Sequence, residues 1–182
     1  GGRDDGDLWY ALAGGGLRMH FAPTDFIQVN GVINQRMIAL ALELLAPDAG
    51  MRLLDLYCGI GNFSLPLARQ AGEVLGVEGD AAMVERARDN ARLNGIANAR
   101  FAVADLAQAG PAPGWAGGGF DAVLLDPPRA GAAAVLGPVA GSGARRVLYV
   151  SCHPGTLARD AGVLVREHGY RLQAAGILDM FP

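Results

Sequence analysis

A chain of 182 residues with 51% hydrophobic residues can bury one substantial core, and no apolar run approaches the roughly 20 residues of a membrane span. The net charge is −3 and all 15 basic residues are arginine, which argues against a chain that holds nucleic acid by charge alone. Two cysteines, Cys58 and Cys152, are too few for a disulfide framework, and no C-x-x-C pair or His/Cys cluster marks a metal site.

The start, GGRDDGDLWY, is acidic and glycine-rich, unlike a signal or transit peptide, so a soluble cytoplasmic protein is expected. Leu8 to Phe21 alternates like a hairpin, with Gly14-Gly15-Gly16 as its turn. Pro23 to Asn30 is a connector. Residues 1–30 therefore read as a hairpin and connector leading into one domain over 31–182. Asn34 to Leu45 is apolar at helical spacing and ends before Pro47.

Met51, Leu53, Leu54 and Leu56 form an apolar run too short for a helix, which fits a buried parallel strand. Gly59 and Gly61 follow as a tight turn, and a helix starts over Asn62 to Ala68. Strand, glycine turn and helix bring backbone N–H groups against a ligand. Ser64 stands where a third glycine would complete G-x-G-x-x-G, so a hydroxyl-rich, nucleoside-containing ligand is implied and a pyrophosphate is not specifically implied. A second apolar run, Val74 to Val77, ends in Glu78, 23 positions after Asp55. An acid there suits a ribose, because a carboxylate can accept from both hydroxyls of a vicinal diol.

Ala81 to Leu93 is an amphipathic helix, capped by Asp80 at its start and Asn94-Gly95 at its end. Arg100 to Ala104 is a strand, Ala109 to Gly119 a loop and Phe120 to Leu125 a strand running into Asp126-Pro127-Pro128-Arg129. Gly131 to Ala140 reads as a helix, Arg146 to Val150 as a strand, Thr156 to His168 as a helix and Tyr170 to Met180 as a sixth strand. This alternation means a doubly wound, mostly parallel α/β sheet.

In such sheets the ligand sits beyond the carboxyl ends of the strands. Tyr57, Glu78, Asp105, Asp126 and Cys152 follow the ends of five successive strands and so share one edge. Cys152 leaves a strand just before a helix, where the helix N-terminus favours a thiolate. It reads as a nucleophile, whereas Cys58, directly after the first strand, reads as a packing residue or one that contributes only its backbone.

The stretches FIQVN (26–30), DLYCGIGNF (55–63), GVEG (76–79), NARLNG (90–95), LLDPPRAG (124–131), YVSCHP (149–154), TLARD (156–160) and LDMFP (178–182) carry a resemblance. The chain resembles the catalytic domain of the bacterial RNA (uracil-5-)-methyltransferases, with GVEG, NARLNG, TLARD and LDMFP similar to the branch acting on 23S ribosomal RNA rather than transfer RNA. The resemblance implies a class I, Rossmann-like fold lacking its last strand, S-adenosylmethionine as cofactor and an RNA uracil as acceptor. Its cofactor positions fall on Gln28, Tyr57, Asn62, Glu78, Asp105 and Asp126, and its nucleophile on Cys152. His153 stands where the family usually has asparagine. The family's general base is a glutamate just past DMFP, and this chain ends at Pro182, so it resembles an excised catalytic domain, expected to be monomeric and without a membrane partner.

The residue types suit that chemistry. Uracil C5 is a poor nucleophile until a thiolate adds to C6. The target base must also leave its stack to enter a pocket. Two other readings stay open. An exocyclic-nitrogen methyltransferase also carries an Asp-Pro-Pro loop, but usually with an aromatic residue where Arg129 stands, and needs no cysteine. A cofactor-binding module without activity of its own is the non-enzymatic reading.

Overall fold

The computed structural model describes residues 2–4, 7–12, 16–25, 27–28, 30–108 and 114–179. A small antiparallel sheet comes first: β1 (Gly2–Asp4), β2 (Asp7–Leu12) and β3 (Leu17–Phe21), in that order. The expected hairpin is β2–β3, paired from Leu8↔Phe21 to Leu12↔Leu17, and its turn residues Gly14 and Gly15 lie outside the described residues. β1 was not legible, because its GRD sequence has no apolar alternation.

Helix α1 (Gly31–Leu45) starts three residues earlier than its apolar stripe suggests. Asn30 is the reason: its side chain accepts from the Ile33 N–H and caps the helix. Then follow β4 (Arg52–Leu56), the short helix α2 (Ser64–Ala68), β5 (Glu73–Glu78), α3 (Ala81–Leu93) and β6 (Ala99–Val103). β7 (Ala122–Leu125), a 3-10 turn at Ala133–Val135, α4 (Leu136–Gly141), β8 (Arg146–Tyr149) and α5 (Pro154–Arg166) complete the elements. The expected helix from Gly131 is thus shorter and begins as a 3-10 turn. Helix α5 begins two residues before Thr156, because Pro154 suits a first helical position and His153 caps it.

The five parallel strands lie in the order β6-β5-β4-β7-β8. The order reverses at β4, which is where a ligand crevice forms in this architecture. Alternate residues divide the core. Leu53, Ala122 and Leu124 pack with α1, α2, α3 and the hairpin residues Leu12, Leu17 and Met19. Leu54, Leu56, Val123 and Leu125 pack on the other face with Val135, Leu136, Val139 and Leu164. The hairpin therefore shares the sheet's core and does not hang from it as a separate unit.

The sixth strand expected over Tyr170 to Met180 does not form: residues 170–179 take no regular structure, and Met180 lies outside the described residues. Tyr170 is held, donating its O–H to the Ala144 carbonyl at 2.7 Å. Beyond it, Leu172 and Ile177 stand exposed at 65% and 96%. Apolar residues alone do not make a strand without a neighbouring backbone to pair with.

Candidate active site

The sheet register builds one row. Leu56 pairs with Val77 on one side and Leu125 on the other. One residue further on, Glu78, Tyr57 and Asp126 stand side by side. Neighbouring strands are about 4.8 Å apart, so this row spans roughly 10 Å. Asp105 lies two residues past β6, and Cys152 three residues past β8. Gln28 comes from elsewhere: it is half-buried in the connector ahead of α1.

The β4–β5 side is assembled from backbone. Gly59 and Gly61 have φ of 54° and 94°, open only to glycine without strain. Tyr57 has φ of 65°, an uncommon backbone for a non-glycine residue. Its hydroxyl donates to the Leu106 carbonyl at 3.2 Å, and burial, then Asp160, Glu78 and Asp105, push that hydroxyl up to about 12. Glu78 accepts from the Gly59 N–H at 3.1 Å through one oxygen, and from the Gly79 and Asp80 N–H groups at 2.7 and 3.2 Å through the other. Three of a carboxylate's roughly four acceptor sites are thereby filled, so a diol taken by both oxygens displaces one of these amides.

Asn62 is fixed by a partner the sequence did not announce. Its Nδ2 donates to Asn34 Oδ1 and the Asn34 Nδ2 donates back to Asn62 Oδ1, both at 2.9 Å. Tyr10 adds its O–H to the same oxygen at 3.4 Å. Asn34 is 1% exposed, a polar residue on the apolar stripe of Met37, Ile38, Ala41 and Leu45, and that misfit was the available signal. Asp105 organises its own loop, accepting from the Ala107 N–H and from Gln108 Nε2, both at 2.8 Å.

Two buried carboxyls lie under this edge. Asp55, on β4, accepts from Ser64 Oγ at 2.5 Å, while its other oxygen is buried without a partner among the described residues. Burial, opposed by the Ser64 hydrogen bond and reinforced by Asp126 and Glu78, raises it to about 7. Burial pushes Asp126 up to about 6. Among the described residues no arginine pairs with Glu78, Asp105 or Asp126. An acidic edge with no ion-pair partner among the described residues fits a ligand that brings positive charge and hydroxyls, as S-adenosylmethionine does.

Cys152 is exposed and its loop is held on both sides. The His153 N–H donates to Ser151 Oγ at 3.1 Å, and Ser151 Oγ donates to the His153 carbonyl at 3.1 Å. His153 Nδ1 accepts from the Thr156 N–H at 3.2 Å, the capping bond that an asparagine would make. The departure from the family's asparagine thus keeps the cap. Cys58 is buried, packing beside Gly76, and burial, then Asp55 and Glu78, raise its thiol well above the ordinary range.

The family model for tRNA (uracil-5-)-methyltransferase matches residues 10–110. A 23S rRNA (uracil(1939)-C(5))-methyltransferase RlmD of Alkalilimnicola ehrlichii is 62% identical over 96% of this chain and 39% of its own length. The protein of that name from Pseudomonas aeruginosa is 57% identical, over 97% and 39%. Among solved structures, the Pyrococcus abyssi tRNA (uracil-54, C5)-methyltransferase in complex with S-adenosyl-L-homocysteine superposes with a TM-score of 0.77 at 32% identity, over 91% of this chain and 39% of that one. The chain spans about 39% of the length of the curated relatives it matches. By the family model, which matches more than half of its length, the chain belongs to the tRNA (uracil-5-)-methyltransferase family.

Proposed function

We propose that residues 1–182 carry the catalytic domain of an enzyme that methylates C5 of a uridine in RNA, with S-adenosylmethionine as methyl donor and 23S ribosomal RNA as substrate. The observation that carries this reading is the acidic edge, which has no arginine partner among the described residues, with an exposed thiol three residues past its last strand. The ribosomal relatives at 62% and 57% identity support the choice of RNA.

When bound, S-adenosylmethionine supplies an electrophilic methyl group on a sulfonium. Gln28, Tyr57, Asn62, Glu78, Asp105 and Asp126 hold it in this reading. Asp126 benefits directly, because a cation beside a buried carboxyl favours its ionised form. Cys152 acts on the other reactant. Its sulfur adds to uracil C6, and the ring electrons move to C5, which becomes an enolate-like carbon able to take a methyl group. Once C5 carries the methyl, a general base takes the C5 proton, its electron pair restores the C5–C6 double bond, and the Cys152 sulfur leaves as thiolate. Flipping the base out of its stack is required to bring C6 to the thiol.

The test is trapping with 5-fluorouridine RNA in the full-length protein that contains this sequence. Fluorine cannot leave C5 as a proton does, so the adduct persists. The expected outcome is a denaturation-resistant complex with the unmutated protein and with Cys58→Ala, and none with Cys152→Ala, while Cys152→Ala keeps its cofactor affinity. A complex that survives Cys152→Ala overturns the nucleophile. If instead the unmutated protein forms no complex at all, the Asp126-Pro127-Pro128 loop points to methylation of an exocyclic base nitrogen, which needs no covalent adduct.

A further inference from the structure

Asp160 is 0% exposed, yet it sits on a helix whose outer face is solvated. A buried carboxylate is costly unless every oxygen is satisfied. Here one oxygen accepts from the Tyr149 O–H and from the Ala132 N–H, both at 2.7 Å, and the other accepts from Arg159 Nε at 2.7 Å. Burial alone would raise this acid, but the bonds from Arg159, Tyr149 and Ala132 hold it below its ordinary value. In turn, burial and the bond to Asp160 raise the Tyr149 hydroxyl.

The partners of Asp160 matter more than its charge. Tyr149 ends β8, three residues before Cys152. Ala132 follows the Asp126-Pro127-Pro128-Arg129 loop. Further bonds run in parallel: Thr156 Oγ1 donates to the Arg129 carbonyl at 3.2 Å, and Arg159 Nη2 donates to the Ala130 carbonyl at 2.9 Å. Gly131 lies between them with φ of 84°, and a Cβ there would stand 2.5 Å from both Arg159 Nη2 and Asp160 Oδ2. The loop after β7 is thus fastened to the helix after Cys152 with no room for a side chain between. After burial, the charge of Asp160 is the next influence raising the Tyr57 hydroxyl.

We propose that Asp160 is a positioning residue: it locks the 126–132 loop to α5, and so fixes where Asp126 stands relative to Cys152. This rests on the functional reading above, in which Asp126 faces the cofactor and Cys152 the uracil. It assigns to the last residue of TLARD the task of setting the alignment between two reactants. Alignment is what such a reaction is most sensitive to, since displacement of a reacting group by about 1 Å can cost about 100-fold in rate.

The experiment compares Asp160→Asn with Tyr149→Phe in the full-length protein, by steady-state methylation and amide hydrogen exchange. Asp160→Asn should lower kcat about 30-fold, with KM for cofactor and for RNA each within about threefold, because the reactants still bind but meet poorly. Exchange should quicken at residues 129–132 and stay as in the parent at Gly59 and Glu78. Tyr149→Phe, which leaves two of the three donors, should fall between Asp160→Asn and the parent in both measurements. A folded Asp160→Asn protein with parental kcat, or with its loss entirely in cofactor KM, overturns the proposal. If Asp160→Asn does not fold, Tyr149→Phe and Arg159→Gln decide, and parental kcat and exchange in both overturn it. If the unmutated protein transfers no methyl group to uridine C5, the functional reading fails, and unchanged exchange at 129–132 in Asp160→Asn then overturns the clamp separately.

Discussion

The two halves of the sheet edge are held by different means. On the β4–β5 side, Glu78 is fixed by backbone N–H groups at Gly59, Gly79 and Asp80, two of them its immediate successors in the chain. On the β7–β8 side, the loop after Asp126 is fixed by side chains of α5 that lie 27 to 29 positions away in sequence. The first arrangement is local and depends on glycine conformations. The second is long-range and depends on one buried carboxylate. The halves should therefore respond differently to substitution: the first through ligand affinity, the second through alignment and hence turnover.

Two glycines give the largest expected contrast. Gly131→Ala must place a Cβ against Arg159 and Asp160 in a backbone conformation that alanine resists, and should destabilise by roughly 2–4 kcal/mol while lowering turnover. Gly76→Ala, within β5, meets Phe101 at 2.6 Å and Cys58 at 2.9 Å, and should cost roughly 1–3 kcal/mol with turnover at subsaturating denaturant intact. Denaturant midpoints and initial rates on both variants check this. Equal losses of turnover would erase the distinction between the halves.

A pH series sharpens the comparison from beneath the edge. The folded chain keeps a proton on Asp55 up to about pH 7, whereas the unfolded chain releases it near pH 4. Stability from this group is thus full below pH 4, declines between pH 4 and pH 7, and is flat above. Asp126, raised to about 6, tilts the same way. Between pH 5 and pH 8 the loss from Asp55 should be on the order of 2–3 kcal/mol. Asp55→Asn should flatten that slope in urea titrations, and an unaltered slope would place its source elsewhere.

The smallest effect is a binding one. Glu78→Ala removes the acceptor for three amides and, in the proposed reading, a ribose contact. Calorimetry should show S-adenosylmethionine or its demethylated product binding more weakly by roughly 1–3 kcal/mol, with the midpoint of unfolding little changed. A large stability loss without an affinity loss would mean that Glu78 serves the turn and not a ligand.

The legibility of the site follows the same division. DLYCGIGNF and GVEG could be read from spacing alone, because a glycine turn and an acid at a strand end act within their own stretch. The parallel sheet and the shared edge were equally open to reading, since the alternation of strand and helix dictates them. Asn34 and Asp160 were not, because each acts on a residue 28 positions away, and spacing along a helix records only that a polar residue interrupts an apolar stripe. The sixth strand misled for the opposite reason. Its composition suits a strand, but pairing is a property of the neighbouring backbone, and sequence composition carries no information about that.

The contrast between the two thiols has a practical use. Cys152 is exposed, whereas Cys58 is buried and its thiol is raised, so it is poorly placed to react as a thiolate. An alkylating dye at neutral pH therefore marks one equivalent per folded chain and a second only after denaturation. The residue proposed to attack uracil can thus carry a fluorophore in the unmutated sequence, and protection of that single equivalent by added RNA would report occupancy without any assay of turnover.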